Sequence, residues 1–265
     1  MTREKLTNAP LYFALIEVRF NTVLGLERNY LPGIQEQFRK AGFPDFETSA
    51  ELTFQIKPPG ESEVKPRVDS VGVNRHVFRD IGRSAGFSLS ASSIAFFTSA
   101  YDVFETFRQP MMQGLQIIHG AIGLSFSERI GIRYLNAVLP KSGEQLEDYL
   151  IPEVLGLTVK LGGTIEHAYS ETKRRLDTGG GVVARAMLRH GRVGLPPEVG
   201  HLGLTLNDRF TAFEGMHGML DTDAFVEKRE SFDLAVIDAH VRRLHDENEE
   251  VFRTIATKHA LKAWE

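Results

Sequence analysis

The most regular pattern in the chain is the alternation of large side chains in Tyr12-Phe13-Ala14-Leu15-Ile16-Glu17-Val18-Arg19-Phe20. Alternation with a period of two is typical of a β-strand. Glu17 and Arg19 fall on the same side, so that side is predicted to be the less buried face of the strand. Helical spacing follows over residues 26–41, and the chain is therefore predicted to begin with a strand that leads into a helix.

The same order of elements returns in the second half of the chain. A second strand pattern, Arg129-Ile130-Gly131-Ile132-Arg133-Tyr134-Leu135, is followed by the Leu-Glu, Tyr-Leu and Pro residues that also follow the first one, at an offset of about 114 to 120 residues. A fixed offset is the mark of an internal repeat. We predict two related units, residues 1–124 and 125–265, within one compact domain.

Each unit is predicted to have the order β-α-β-β-β(-β)-α, which is an α+β arrangement. Both units are expected to share one curved antiparallel sheet with the helices on one face. This order resembles the saddle of the TATA-box-binding protein, and the resemblance concerns element order alone. Other predicted elements are a loop at 60–70, a helix at 146–161, hairpin strands at 166–176 and 182–190, a strand at 201–213 and a closing helix over 234–255.

The composition is that of a soluble globular protein, with 42% hydrophobic and 25% charged residues. The chain has no Cys, which excludes disulfides, thiolate metal sites and a cysteine nucleophile, and a reducing cytoplasm is the expected compartment. No apolar run has the length of a signal peptide or a membrane span, so we expect no membrane partner. The net charge of −4 neither favours nor excludes a polyanionic partner.

Several short motifs resemble a sporadically distributed family of bacterial proteins of about this length. They are Ala9-Pro10, Glu17-Val18-Arg19-Phe20, Arg129-Ile130-Gly131-Ile132-Arg133-Tyr134-Leu135-Asn136, His201-Leu202 and the segment from Leu244-His245-Asp246 to Phe252. The Arg-Ile-Gly-x-Arg-Tyr-x-Asn strand is the most specific of them. After His201-Leu202 the family pattern implies alternating acidic residues, whereas Gly203 and Thr205 stand here. The resemblance implies a fold and a family, and it transfers no activity.

Arginine is the polar residue that recurs on the predicted strands, and two arginines occupy matching positions of the two units. The predicted binding residues are Arg19, Arg133, Glu17, Arg75, Arg79, Arg185 and Arg189. Guanidinium groups on an open sheet suit phosphate or carboxylate, which they bind through paired hydrogen bonds. Alternatively, the same residues form cross-strand salt bridges with acidic neighbours. The pattern is compatible with both interpretations.

Motifs of catalysis and metal binding are weak. The nine histidines form no His-Glu-x-x-His pattern, and His245-Asp246 with Glu249 is a common arrangement on a solvated helix. Gly179-Gly180-Gly181 lies between two predicted strands, which favours a hairpin turn over a phosphate-binding loop. No Gly-x-Ser-x-Gly elbow occurs. We therefore predict no catalytic residue, no metal ligand and no cofactor.

Three functions fit these patterns. The preferred one is a non-catalytic binding or regulatory protein that engages a macromolecular partner, such as an antitoxin, an immunity protein or a phage-defence factor. The alternatives are a nucleic-acid-binding protein with an arginine-lined sheet, and an enzyme that clamps a small anionic substrate with Arg19 and Arg133. The expected partner is thus a protein or a nucleic acid, and a homodimer is a further expectation.

Overall fold

The strands of the chain join in one sheet. The computed structural model describes residues 6–57, 67–161, 163–177 and 179–265, with the backbone alone at 50–57 and 67–73. The strands in this part are β1 (Leu11–Phe20), β2 (Asp45–Lys57), β3 (Arg67–Arg79), β4 (Ala85–Ser90), β5 (Ser93–Thr98), β6 (Phe126–Val138), β7 (His167–Leu176), β8 (Gly180–Arg192) and β9 (Glu214–Ser231).

The strand order across the sheet is β2-β3-β4-β5-β1-β6-β9-β8-β7, and every neighbouring pair is antiparallel. The predicted α+β class with an antiparallel sheet is therefore confirmed. Strands β1 and β6 are adjacent in the middle of the sheet, where Glu17 lies opposite Gly131 and Arg19 lies opposite Arg129. Three of the seven predicted binding residues, Glu17, Arg19 and Arg133, accordingly lie near the centre of the sheet.

Helices occupy the connections and the end of the chain. They are a π-helical turn (Leu26–Tyr30), α1 (Leu31–Lys40), α2 (Phe104–Ile122), α3 (Leu146–Tyr149), α4 (Pro152–Leu155), a 3-10 turn (Gly156–Val159), α5 (Pro197–Gly200), α6 (Asp208–Thr211), α7 (Leu234–Ile255) and α8 (Lys258–Trp264). The helix predicted at 146–161 is thus divided into short pieces, because Pro152 begins a new helix and Gly156 has a φ of +64°.

Helix α7 packs on the sheet through its apolar stripe, as its three-four spacing predicts. Ile237, Val241 and Leu244 are buried in one cluster with residues of β1 and β6 and of helices α1 and α2. The one polar residue of this seam, Asn248, is also buried, and its side-chain Nδ2 donates to Ile132 O at 2.9 Å. This bond lets an amide lie in an otherwise apolar contact.

The opposite face of the sheet, here called the open face, is covered at one end by residues 193–213, here called the cover segment. Its Val199, Leu202 and Phe210 pack with Tyr12 and Phe97 in a separate apolar cluster. The prediction of a strand at 201–213 is therefore wrong. The reason is local: Gly203 has a φ of +62°, which ends the extended backbone, and the side chain of Asn207 caps α6 by accepting from Arg209 N.

Two further predictions concern the hairpins. Gly179 does lie in the turn that connects β7 to β8, whereas Gly180 and Gly181 already begin β8. A Cβ on Gly180 would lie 1.9 Å from Phe225 O, so glycine alone fits there. Within the predicted loop at 60–70, residues 67–70 instead begin β3, and residues 60–66 lie outside the described part of the chain.

Acid is expected to destabilise the fold through two buried histidines. Burial lowers the pKa of both His76 and His217 below the value of a free side chain. The unfolded chain then binds more protons than the native one as the pH falls through about 6.5. The free energy of unfolding should therefore decrease between pH 7.5 and 5.5. Urea titrations of the wild type and of His217→Gln at both pH values test this; equal losses in the two proteins would contradict it.

Candidate functional site

The open face carries a row of charged residues that the strand register brings together. Because alternate side chains of a strand share a face, Glu171 on β7, Arg185 on β8 and Asp221 on β9 lie directly opposite one another on this face. Two residues further along β9, Asp223 lies opposite Arg133 of β6. Charges of opposite sign thus alternate across four neighbouring strands.

A buried carboxylate lies at the centre of this row. The side chain of Asp221 is 2% exposed and accepts from Arg133 at both oxygens, from Nε to Oδ1 and from Nη2 to Oδ2, each at 2.8 Å. Arg185 Nη1 donates to Asp221 Oδ2 at 3.2 Å. A paired guanidinium–carboxylate contact of this kind fixes both side chains in one geometry. The two guanidinium groups are therefore held in place by a single carboxylate.

The same two arginines reach outward to exposed carboxylates. Arg133 Nη2 donates to Glu198 Oε1 of helix α5 at 2.8 Å, and Arg185 Nε donates to Glu171 Oε2 at 2.7 Å. The side chains of Glu198 and Glu171 are 56% and 44% exposed. A hydrogen bond from the Tyr169 hydroxyl, followed by the bond from Arg185, lowers the pKa of Glu171. Both carboxylates thus stay charged and face solvent at fixed positions.

A second branch of charges crosses the centre of the sheet. Arg129 Nη1 donates to Glu17 Oε2 at 3.0 Å, and Arg19 Nε donates to the same oxygen at 3.1 Å. The hydrogen bond from Arg129 Nη2 to Asp223 Oδ2 is longer, at 3.5 Å. Burial raises the pKa of Asp223, and Arg129 and Arg133 oppose that rise. We call both branches together the charge network: Glu17, Arg19, Arg129, Arg133, Glu171, Arg185, Glu198, Asp221 and Asp223.

Two cavities of about 450 and 280 Å³ adjoin in this region, and Arg133, Glu198 and Asp223 line both. They form one cleft, here called the open-face cleft, between the strands and helix α5 of the cover segment. The predicted residues Arg75 and Arg189 line it as well, and Arg189 Nη2 donates to Arg192 O at 2.8 Å. The cleft thus unites predicted residues from both halves of the chain.

Arg79 is the predicted residue that lies apart from this cleft. Its side chain is 1% exposed, its Nε donates to Leu202 O at 2.7 Å, and Nη1 donates to Asp45 Oδ2 at 3.2 Å. These contacts tie the cover segment to strand β3. Arg79 is therefore placed as a structural anchor under the cover segment.

Among the acidic residues of the charge network, Glu198, Asp221 and Asp223 were not predicted as site residues. Asp221 and Asp223 alternate with Leu220, Thr222 and Ala224 on β9, a strand that was not predicted. That period-two pattern was the available signal, and acidic residues, which are rare in strands, obscured it. The contact of Glu198 with Arg133 was not predictable, because it depends on how the cover segment folds back over the sheet and places helix α5 beside β6.

In the part of the chain that the structure describes, no group of three or more His, Asp or Glu residues could hold a metal ion. No helix in the described ranges is long and apolar enough to cross a membrane. No family model matches the chain, and no curated protein is similar enough to count as a relative. The class that fold and site define is an α+β protein with a charged cleft on the open face of an antiparallel sheet.

Proposed function

We propose that this chain is a non-catalytic binding protein that engages a partner protein through its open-face cleft. The observation that carries the proposal is the pairing of Arg133 and Arg185 with a buried Asp221, which leaves Glu198 and Glu171 as the exposed ends of this branch of the network. A partner protein with basic and polar groups at matching spacing complements these ends. Antitoxin, immunity and defence-associated proteins are classes that act by such binding.

The paired arginines favour a protein partner over a nucleic acid. Affinity for nucleic acid depends on cationic groups that neutralise phosphates. Arg129, Arg133 and Arg185 each contact at least one carboxylate within 3.2 Å, so a phosphate would have to compete with these internal partners. A protein surface of mixed charge needs no such exchange, because it can bind the exposed carboxylates directly.

Charge reversal at the two exposed carboxylates tests this proposal. We expect the double variant Glu171→Arg/Glu198→Arg to lose a stoichiometric partner captured by the wild type from a lysate of cells that encode the chain. The expected loss is at least about tenfold in affinity, because like charges then face one another. The matched control is Glu36→Arg/Glu128→Arg, which reverses two exposed carboxylates outside the cleft, 44% and 42% exposed. Equal capture by wild type, variant and control would contradict the proposal.

An enzyme that acts on a small anionic substrate is the second candidate, and Asp223 favours it. A carboxyl group with a raised pKa beside arginine side chains in a cleft is a frequent feature of active sites. Turnover of a phosphorylated or carboxylated compound that Asp223→Asn abolishes would support this candidate. Retention of the partner protein by Asp223→Asn would support the binding protein.

We also propose that the two halves, 1–124 and 125–265, arose by duplication, as part of the bacterial family that the motifs resemble. In support, β1 pairs with β5, the strand before α2, and β6 pairs with β9, the strand before α7. The first half has five strands and the second has four within the described residues. Homologues whose two halves align would support the duplication, and light scattering would test the expected homodimer.

A further inference from the structure

A separate pocket of about 240 Å³ lies on the helix side of the sheet, between the start of β1, helix α7 and the residues before α2. We call it the helix-side pocket. Tyr134 and Thr222, which line it, lie directly opposite one another on β6 and β9. Their neighbours Arg133 and Asp223 line the open-face cleft, so the two sites are on opposite faces of the sheet.

Two buried polar atoms belong to residues that line this pocket and have no hydrogen-bond partner among the described residues. They are Thr222 Oγ1 and Asn248 Oδ1, and each residue is 1% exposed. The bond from Asn248 Nδ2 to Ile132 O fixes the amide, so that Oδ1 is an acceptor without a donor. Buried polar groups are almost always satisfied in folded proteins. The pair therefore points to a bound group that donates hydrogen bonds.

Aromatic rings form the walls of the pocket and hold one another in place. The Phe104 ring stacks on His245 with centroids 4.0 Å apart, and the Tyr134 hydroxyl and His245 Nδ1 share a hydrogen bond of 2.9 Å. Tyr101 packs edge-on against Tyr134 at 5.7 Å. Rings fixed in this way present their faces and edges to a ligand with little loss of side-chain freedom.

The charged residues that line the pocket are mostly acidic. Asp102 and Glu249 contribute two carboxylates, and Arg253 contributes one guanidinium, whose Nε donates to Glu249 Oε1 at 2.8 Å. The formal charges of these three side chains therefore sum to −1. Aromatic faces also attract a cation, and this attraction strengthens when the cation is desolvated.

We propose that the helix-side pocket binds a small organic cation, an amine or amidine carried by an apolar ring, whose N–H groups donate to Asn248 Oδ1 and Thr222 Oγ1. The volume is below the range of roughly 300–1,000 Å³ that drug-sized ligands occupy, so the ligand has about the size of one ring. This site is independent of the proposed function, because it uses none of the residues of the charge network.

Benzamidine is a suitable probe, with benzyl alcohol and benzoate as ring-matched compounds that lack the cation. Calorimetry or protein-observed NMR on the full chain is expected to give a Kd of about 1 mM or tighter for benzamidine. Benzyl alcohol should bind about tenfold more weakly, and benzoate should not bind. Saturable binding of benzoate as tight as that of benzamidine, or no binding of benzamidine at about 20 mM, would overturn the proposal.

Two variants locate the binding at this pocket. Thr222→Val removes one hydroxyl at nearly constant volume and should weaken the binding of benzamidine about three- to tenfold. If that variant does not fold, Glu249→Gln, which neutralises a lining carboxylate, should weaken the binding by the same factor. The matched control is Ser88→Ala, which removes another buried hydroxyl that has no hydrogen-bond partner among the described residues, on the open face of the sheet. An unchanged Kd in both pocket variants, or an equal loss in the control, would contradict the assignment.

Discussion

Replacing Asp221 with Asn is expected to lower the free energy of unfolding by about 3–5 kcal/mol. The wild-type carboxylate is 2% exposed and holds two guanidinium groups, those of Arg133 and Arg185. An amide of the same shape carries no charge, so both guanidinium groups lose their common partner while Arg133 stays largely buried. Removing one partner of a buried ion pair costs far more than the pair contributes, because the remaining charge is left desolvated. Urea unfolding followed by circular dichroism measures this difference.

Asp223→Asn is the matched control for this prediction, because the same chemical change occurs two residues away on the same strand. Asp223 is held less closely, with Arg129 at 3.5 Å, and burial already disfavours its charge. The expected change is about 1 kcal/mol or less in either direction. Equal unfolding free energies for Asp221→Asn and the wild type would show that Asp221 does not hold the network together.

The parts of the fold that depend on local pattern could be predicted from the sequence. Strands β1 and β6 have long runs of alternating apolar residues, and helix α7 has an apolar stripe over its whole length. Each segment contacts the core through a single apolar face, so the periodicity of its own residues indicates whether it is a strand or a helix. The hairpin between β7 and β8 was also predicted correctly, because glycines mark its turn and are likewise a local signal.

Strand β9 and the cover segment were not predictable, because their structure depends on residues that are distant in the sequence. Asp221 is tolerated in a strand only because Arg133 and Arg185 neutralise it from neighbouring strands. Likewise, Leu202 has strand-like alternating neighbours, yet it packs against the sheet instead of joining it. Arg79 was taken with Arg75 as a surface residue, since the segment that buries Arg79 follows it by more than a hundred positions.

Neutralising the two exposed carboxylates should turn the open face into a weak polyanion-binding surface. In Glu171→Gln/Glu198→Gln, Arg133 and Arg185 keep only Asp221 as a charged partner, so each can offer donors to a phosphate. We expect affinity for a single-stranded oligonucleotide to rise about tenfold at about 50 mM salt and to fall as salt is added, by about 0.7 in log K per log salt unit for each phosphate neutralised. Glu36→Gln/Glu128→Gln makes the same change in net charge outside the cleft and should leave binding as in the wild type.

The central claim is that carboxylates of the chain itself already neutralise Arg129, Arg133 and Arg185 on the open face. Its most direct test is the salt dependence of oligonucleotide binding by the wild-type protein, measured by fluorescence anisotropy between about 50 and 200 mM salt. The claim predicts weak wild-type binding with little dependence on salt in this range, and an affinity about tenfold higher and salt-sensitive in Glu171→Gln/Glu198→Gln. Tight wild-type binding with a log K slope of about −3 or steeper would contradict it, because such a slope requires several arginines that are free to neutralise phosphates.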